Sequence, residues 1–242
     1  MKKIAIFTEG QTELIFVRNF FLRVMDPSKL SFECYDLLGQ KFSSVPYQYT
    51  NPSAEIHFLI LNVNGDEKVL SSIKDREKNL IEKRGYKKII GLRDMYSREY
   101  IKRSPGVINN QISKMIIQRN NQTIRGMTYF DRIKLYFAIM EIEAWFLGMY
   151  DLFQKIDSLL TVEYIKQNLG IDLKSVDPQK EFYKPSDQVG SIFHLCGREY
   201  KKKRDEIEGI CSNIDSFSLD AAIENNRCMC FADFYKEITS RS

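Results

Sequence analysis

The sequence predicts an α/β protein, a mostly parallel sheet flanked by helices, with a helical C-terminal extension packed on it. Three observations predict it. Short continuous apolar runs in the first half alternate with amphipathic stretches of three-to-four spacing, which is the order of a sheet covered by helices. After about Asp157 the strand-like runs cease and short helical pieces take over. No Gly/Pro/Ser-rich linker marks the change, so the reading is an α/β domain over 1–156 and a helical extension over 157–242.

The elements follow in order. Ile4-Ala5-Ile6-Phe7, within a strand from Lys3 to Phe7, is a short buried run. Gly10 permits a sharp turn, and Gln11 to Met25 forms a helix with Leu14, Phe16, Val17, Phe20, Phe21 and Val24 on one face. Further strands are expected at Phe32 to Leu37, Ile56 to Val63, Lys88 to Leu92 and Ile133 to Ala138. Helices are expected after Gly65, with Val69, Ile73, Leu80 and Ile81 inward, and after Gly106, with Ile108, Ile112, Met115 and Ile116 inward. The polar stretch from Gln40 to Ser53, with Ser43-Ser44, Pro46 and Asn51-Pro52, reads as a loop and a candidate mobile flap.

Composition narrows the function classes. The chain has 242 residues, 43% of them hydrophobic, enough for a self-sufficient core. Lys plus Arg exceed Asp plus Glu by 36 to 32; a net +4 is too weak to indicate nucleic-acid binding unless the cations cluster. They do so at Arg198 and Lys201-Lys202-Lys203-Arg204, interrupted by Tyr200. The five cysteines are odd in number without paired CxxC spacing, and Met1-Lys2-Lys3 runs straight into a strand; the expectation is a reduced, cytoplasmic protein without a signal peptide. No apolar stretch approaches the roughly 20 residues that span a bilayer. With two histidines and no Gly-x-Ser-x-Gly element, triad hydrolysis has little support.

The chemistry lies in the acids. Glu9 stands where the first strand gives way to a helix, and Glu13 is four residues on. Asp94 follows the apolar strand Lys88 to Leu92, and Glu141 and Glu143 follow Phe137-Ala138-Ile139-Met140. In a parallel sheet these acids gather on the edge where ligands usually lie, outside the carboxyl ends of the strands. Carboxylates crowded together raise one another's pKa unless a cation neutralises them. Hard oxygen ligands suit Mg²⁺ or Mn²⁺, ions that stabilise displacement at phosphorus. Glu9, Glu13, Asp94, Glu141 and Glu143 are the candidate metal ligands; of the last two, one is expected to be only solvated, and Glu143 is favoured for the site.

Glu9-Gly10-Gln11-Thr12-Glu13 after a strand, the acid in Gly91-Leu92-Arg93-Asp94-Met95, and Glu141-Ile142-Glu143-Ala144-Trp145-Phe146-Leu147 together resemble the Toprim fold. Within that fold the chain resembles bacterial Toprim-like proteins encoded beside ABC-type ATPases, related to the overcoming-lysogenization-defect nucleases. The resemblance covers about residues 1–150, with weaker similarity through Lys184-Pro185-Ser186 to the segment Phe231 to Ile238. It implies a metal-dependent nuclease in phage defence, working with an ABC-type ATPase partner. It assigns Glu9 as metal ligand or general acid/base, Glu13 as the second acid, and Asp94 as the first acid of an Asp-x-Asp element. Tyr96 stands where the second aspartate is expected, and Glu143 is its natural substitute.

Other readings stay open beside these. Glu9 and Glu13 also suit a plain acidic helix start. The turn Asn62-Val63-Asn64-Gly65-Asp66 either presents backbone N–H groups to a phosphate or caps the next helix through Asn64 or Asp66. Arg93 and Lys184 are candidates for steadying a phosphate. Lys201, Lys202, Lys203 and Arg204 form either a solvated helix face or a phosphate-backbone surface for DNA or RNA. Trp145 reads as a core anchor. The rival to a nuclease is a catalytically silent Toprim-like module that binds nucleic acid or regulates an ATPase.

Overall fold

The computed structural model describes residues 1–39, 41–65 and 67–239. Six strands form one sheet: β1 (Lys2–Thr8), β2 (Leu30–Leu38), β3 (Lys41–Ser44), β4 (Ile56–Asn62), β5 (Lys88–Asp94) and β6 (Ile133–Ala138), in the order β3-β2-β4-β1-β5-β6. β1 runs parallel to both β4 and β5, and β2 runs parallel to β4. The helices are α1 (Gln11–Val24), α2 (Lys68–Lys78), α3 (Arg98–Arg103), α4 (Asn110–Arg125), α5 (Glu143–Gly148), α6 (Leu152–Ile156), α7 (Val162–Leu169), α8 (Pro178–Glu181), α9 (Pro185–His194), α10 (Arg204–Ser212), α11 (Ser216–Ile223) and α12 (Met229–Thr239). The α/β class and the C-terminal helical region are as the sequence predicts. Among the described residues no helix is long and apolar enough to cross a membrane.

The chain divides into two compact units, Met1–Ser97 with Asn109–Phe137, and Arg98–Ile108 with Ala138 onward. The change of pattern in the sequence places the boundary at 156/157. It falls earlier because α5, whose six residues are all buried, packs with α8, α9 and α11 of the second unit.

In the first unit the two-residue period of the strands serves both sheet faces. Phe58 of β4 and Phe32 of β2 meet Phe21 of α1, the Phe21 and Phe58 rings stacking at 4.0 Å. Their neighbours Leu59 and Leu61, with Ala5 and Phe7 of β1, join Val69 and Ile73 of α2 and Ile124 of α4 on the other side. Burial on both faces explains why these strands read as unbroken apolar runs. Gly91 is needed at the crowded centre of β5: a Cβ there would lie 2.5 Å from Leu135 Cδ1 and 3.0 Å from Ile73 Cδ1.

Two local expectations change. The stretch after β2 starts with a strand, β3, which pairs antiparallel with β2; the rest, 45–53, is loop as expected, tied to the sheet by a bridge between Tyr49 and Phe32. The Tyr35 ring meets Phe42 edge-on, and Gln48 accepts from the Cys34 amide, so side chains extend the pairing; Gln40 lies outside the described residues. In α4 the inward face is Ser113, Ile116, Asn120 and Ile124, while Met115 is exposed. Asn120 is accommodated by donating its side-chain amide to the Ile116 carbonyl.

The second unit is mainly helical. Its Trp145 is fully buried against Phe231 and Phe234 of α12, a core anchor as the sequence suggests. Arg227 is buried and donates to the carbonyls of Leu173, Lys174, Gly148 and Ala221, pinning three chain segments through one guanidinium.

Candidate functional site

In the first unit, two of the predicted acids, Glu9 and Asp94, stand at the carboxyl ends of two neighbouring parallel strands, and a third, Glu13, is in the helix that follows the first of them. Thr8 and Leu92 are register partners, so Glu9, one residue past β1, lies beside the end of β5. Its Oε2 accepts the backbone N–H of Asp94 at 3.0 Å. Glu13 follows in the first turn of α1. Glu13 and Asp94 are only 5% and 8% exposed, which is unusual for carboxylates and sets them apart from a solvated helix start.

Gly10 shapes this corner by its size rather than by its backbone freedom. The chain bends at Glu9-Gly10 as expected, but a φ of −143° is open to any residue, so the bend does not require glycine. A Cβ at that position would sit 2.9 Å from Glu13 Oε2. The missing side chain therefore leaves room for the Glu13 carboxylate.

Arg93 is buried next to Asp94, its guanidinium 5.6 Å from the Phe137 ring centroid and its Nε donating to the Asp94 carbonyl at 3.4 Å. Tyr96 is half-buried two residues past the strand end. On β2 and β4, Asn62 donates to Asp36 at 2.8 Å, a polar pair that the sequence reading missed. Its signal was an aspartate and an asparagine interrupting two apolar runs.

Amides of the turn after β4 are already engaged within the protein. Asn62 Oδ1 accepts from Asn64 N–H, and the Gly65 N–H donates to the Glu9 carbonyl. Asn64 takes a left-handed φ of 55° and does not cap α2, whose N-cap is Glu67; Asp66 lies outside the described residues.

The second unit holds Glu141 and Glu143, neither of them on a strand. Glu141 is in the turn after Met140, and Glu143 opens α5. Both are buried, so neither is the solvated member that the spacing suggested. Lys202 Nζ lies 3.3 Å from Glu141 Oε1 and 2.9 Å from Glu143 Oε1. Tyr200 donates its hydroxyl to Glu143 Oε1 at 2.7 Å, and the Ser186 amide donates to Glu141 Oε2 at 2.9 Å. Nothing in the sequence pattern pairs Lys202 or Tyr200 with these acids.

The remaining predicted cations are not arrayed on a helix face. Lys201, Lys202 and Lys203 precede α10, and Glu206 accepts the backbone N–H groups of Lys201 and Lys203. Lys201 pairs with Glu199, which lowers the Glu199 pKa and raises that of Lys201. Lys184 lies 4.0 Å from Asp187, and Arg204 is exposed at the start of α10.

A hard divalent cation fits this donor set in kind, since Glu9 and Asp94 are carboxylates at adjacent strand ends, Glu13 is a third in the first turn of α1, and Gly10 leaves space beside it. The ligands are not drawn together, however. Among the described residues no group of three or more His, Cys, Asp or Glu side chains is disposed to hold a metal ion. Comparisons with known proteins add no assignment: no family model matches the chain, and no curated protein or solved structure matches it.

Proposed function

We propose that the first unit is a metal-dependent phosphodiester hydrolase acting on DNA or RNA, with Glu9, Glu13 and Asp94 as the residues that take up Mg²⁺ or Mn²⁺. The observation that carries the reading is the burial of two carboxylates beside neighbouring parallel strand ends, Asp94 at the end of β5 and Glu13 in the first turn of the helix after β1, with the Asp94 backbone N–H bonded to the Glu9 side chain. Ligands of open α/β sheets bind at that edge. A bound divalent ion would polarise the scissile phosphate and lower the pKa of attacking water. Glu9, the most accessible of the three, is the group that moves a proton. Arg93 steadies the edge from below through its bond to the Asp94 carbonyl. The Toprim resemblance supports the same residues, and from it alone come the ABC-type ATPase partner and the phage-defence setting.

A second reading, a silent nucleic-acid-binding or regulatory module, is favoured by the lack of a gathered three-ligand group among the described residues. Tyr96 in place of an acid points the same way. Mn²⁺ binding separates the two. Under the hydrolase reading, spin-resonance titration finds Mn²⁺ bound by the wild type and its affinity reduced at least tenfold in Asp94→Ala. Equal affinity in both proteins, or no binding to either, favours the silent module.

A further inference from the structure

We propose that residues 198–203 form a latch whose Lys202 ammonium acts as a tethered cation between Glu141 and Glu143, exchangeable for a free divalent cation. The proposal concerns the second unit alone and does not depend on the reading of the first.

Two carboxylates share one positive group. Lys202 Nζ reaches Oε1 of Glu141 at 3.3 Å and Oε1 of Glu143 at 2.9 Å. The Glu143 side chain is fully buried, and its second oxygen, Oε2, is buried without a hydrogen-bond partner among the described residues. A buried carboxylate oxygen costs free energy when it is left without a donor or a cation. An ammonium offers three N–H donors from one point, and here it leaves that oxygen unserved. A divalent ion bound by oxygen ligands can engage both oxygens of one carboxylate, which Lys202 does not do here.

Lys202 can leave. Its side chain is 38% exposed, whereas the acids it joins are at 11% and 0%. The residue is held at φ 54°, a left-handed conformation that a lysine adopts only under constraint. Tyr200 is the second attachment, through its hydroxyl on Glu143 Oε1. On its other side the segment is open to solvent, where Arg198, Glu199, Tyr200 and Lys201 form one wall of a groove of about 590 Å³. Lifting the segment uncovers the two acids and relieves the backbone at Lys202.

The test is chemical replacement of the tethered cation, carried out in full-length Asp94→Ala protein so that the acids of the first unit do not supply the signal. Thermal unfolding is followed in EDTA and in millimolar Mn²⁺ for that parent, for added Lys202→Gln, and for Lys202→Gln with Glu143→Gln. The expected result is a lower Tm for Lys202→Gln in EDTA and recovery of about 4 °C or more with Mn²⁺. The variant that also carries Glu143→Gln shows no such recovery. A Lys202→Gln protein that folds only with Mn²⁺ supports the latch equally. Equal Tm with and without Mn²⁺, failure to fold in both conditions, or the same recovery after Glu143→Gln overturns it.

Discussion

The backbone amide of Asp94 donates to the side chain of Glu9 over 3.0 Å, tying the ends of β1 and β5 together through a carboxylate. Glutamine at position 9 keeps an acceptor oxygen in the same place. Glu9→Gln is therefore expected within about 1 kcal/mol of wild type, and Glu9→Ala about 1–2 kcal/mol less stable, as urea unfolding will measure. Hydrolysis is lost in both. The pair separates the charge of Glu9 from its structural bond.

Gly10→Ala tests the space beside Glu13. The backbone at Gly10 is extended, so alanine introduces no strain of its own, and the neighbour that must move is the end of a flexible side chain. Stability should change by less than about 1 kcal/mol, while Mn²⁺ affinity falls at least tenfold. Unchanged Mn²⁺ binding would remove Glu13 from the site.

Arg227 is predicted to be the least replaceable cation of the second unit. Its Nη1 and Nη2 serve four carbonyls at 2.6–2.8 Å, a fan that an ammonium on a single stem does not reproduce. Arg227→Lys should cost about 2–4 kcal/mol, read from chemical denaturation. A loss below about 1 kcal/mol would show that the guanidinium is dispensable.

Asp215 supplies a pH dependence. Its carboxyl is drawn down to about 2, chiefly by the hydrogen bond with Lys155, opposed by burial and aided by the Ser218 amide. The folded pKa lies below the unfolded value of about 3.9, so the contribution is complete above about pH 4 and fades as pH falls toward 2. The side chain is 52% exposed, so its ion pair with Lys155 is screened, and its bond to the Ser218 amide also caps α11. Asp215→Ala should cost about 1 kcal/mol at pH 7, with the gap to wild type closing by about pH 2. A gap that persists unchanged at low pH would contradict the assignment.

Periodicity and apolar runs were enough for the sheet, because strands buried on both faces leave little choice of residue, as Phe58 and Leu59 show on opposite sides of β4. The strand-end acids Glu9, Glu13 and Asp94 were legible for the same reason, as charges interrupting or following such runs. Less local features escaped. β3 is short and polar, and its pairing rests on Phe42 against Tyr35 and on the side chain of Gln48, which composition does not announce. The partners of Glu143 were hidden because Tyr200 and Lys202 are some sixty residues away in a segment that reads as plain surface charge. The reach of Arg227 across three segments has no sequence signature either.

The measurement closest to the central claim is cleavage of plasmid DNA, single-stranded DNA and tRNA by the purified protein in Mn²⁺, Mg²⁺ or EDTA, with Glu9→Gln and Asp94→Ala alongside. Cleavage of at least one substrate that requires the metal and is lost in both variants is the predicted result. Cleavage that persists in EDTA or in either variant, or its absence with every substrate and metal, would contradict the assignment of these acids to phosphodiester hydrolysis by this chain.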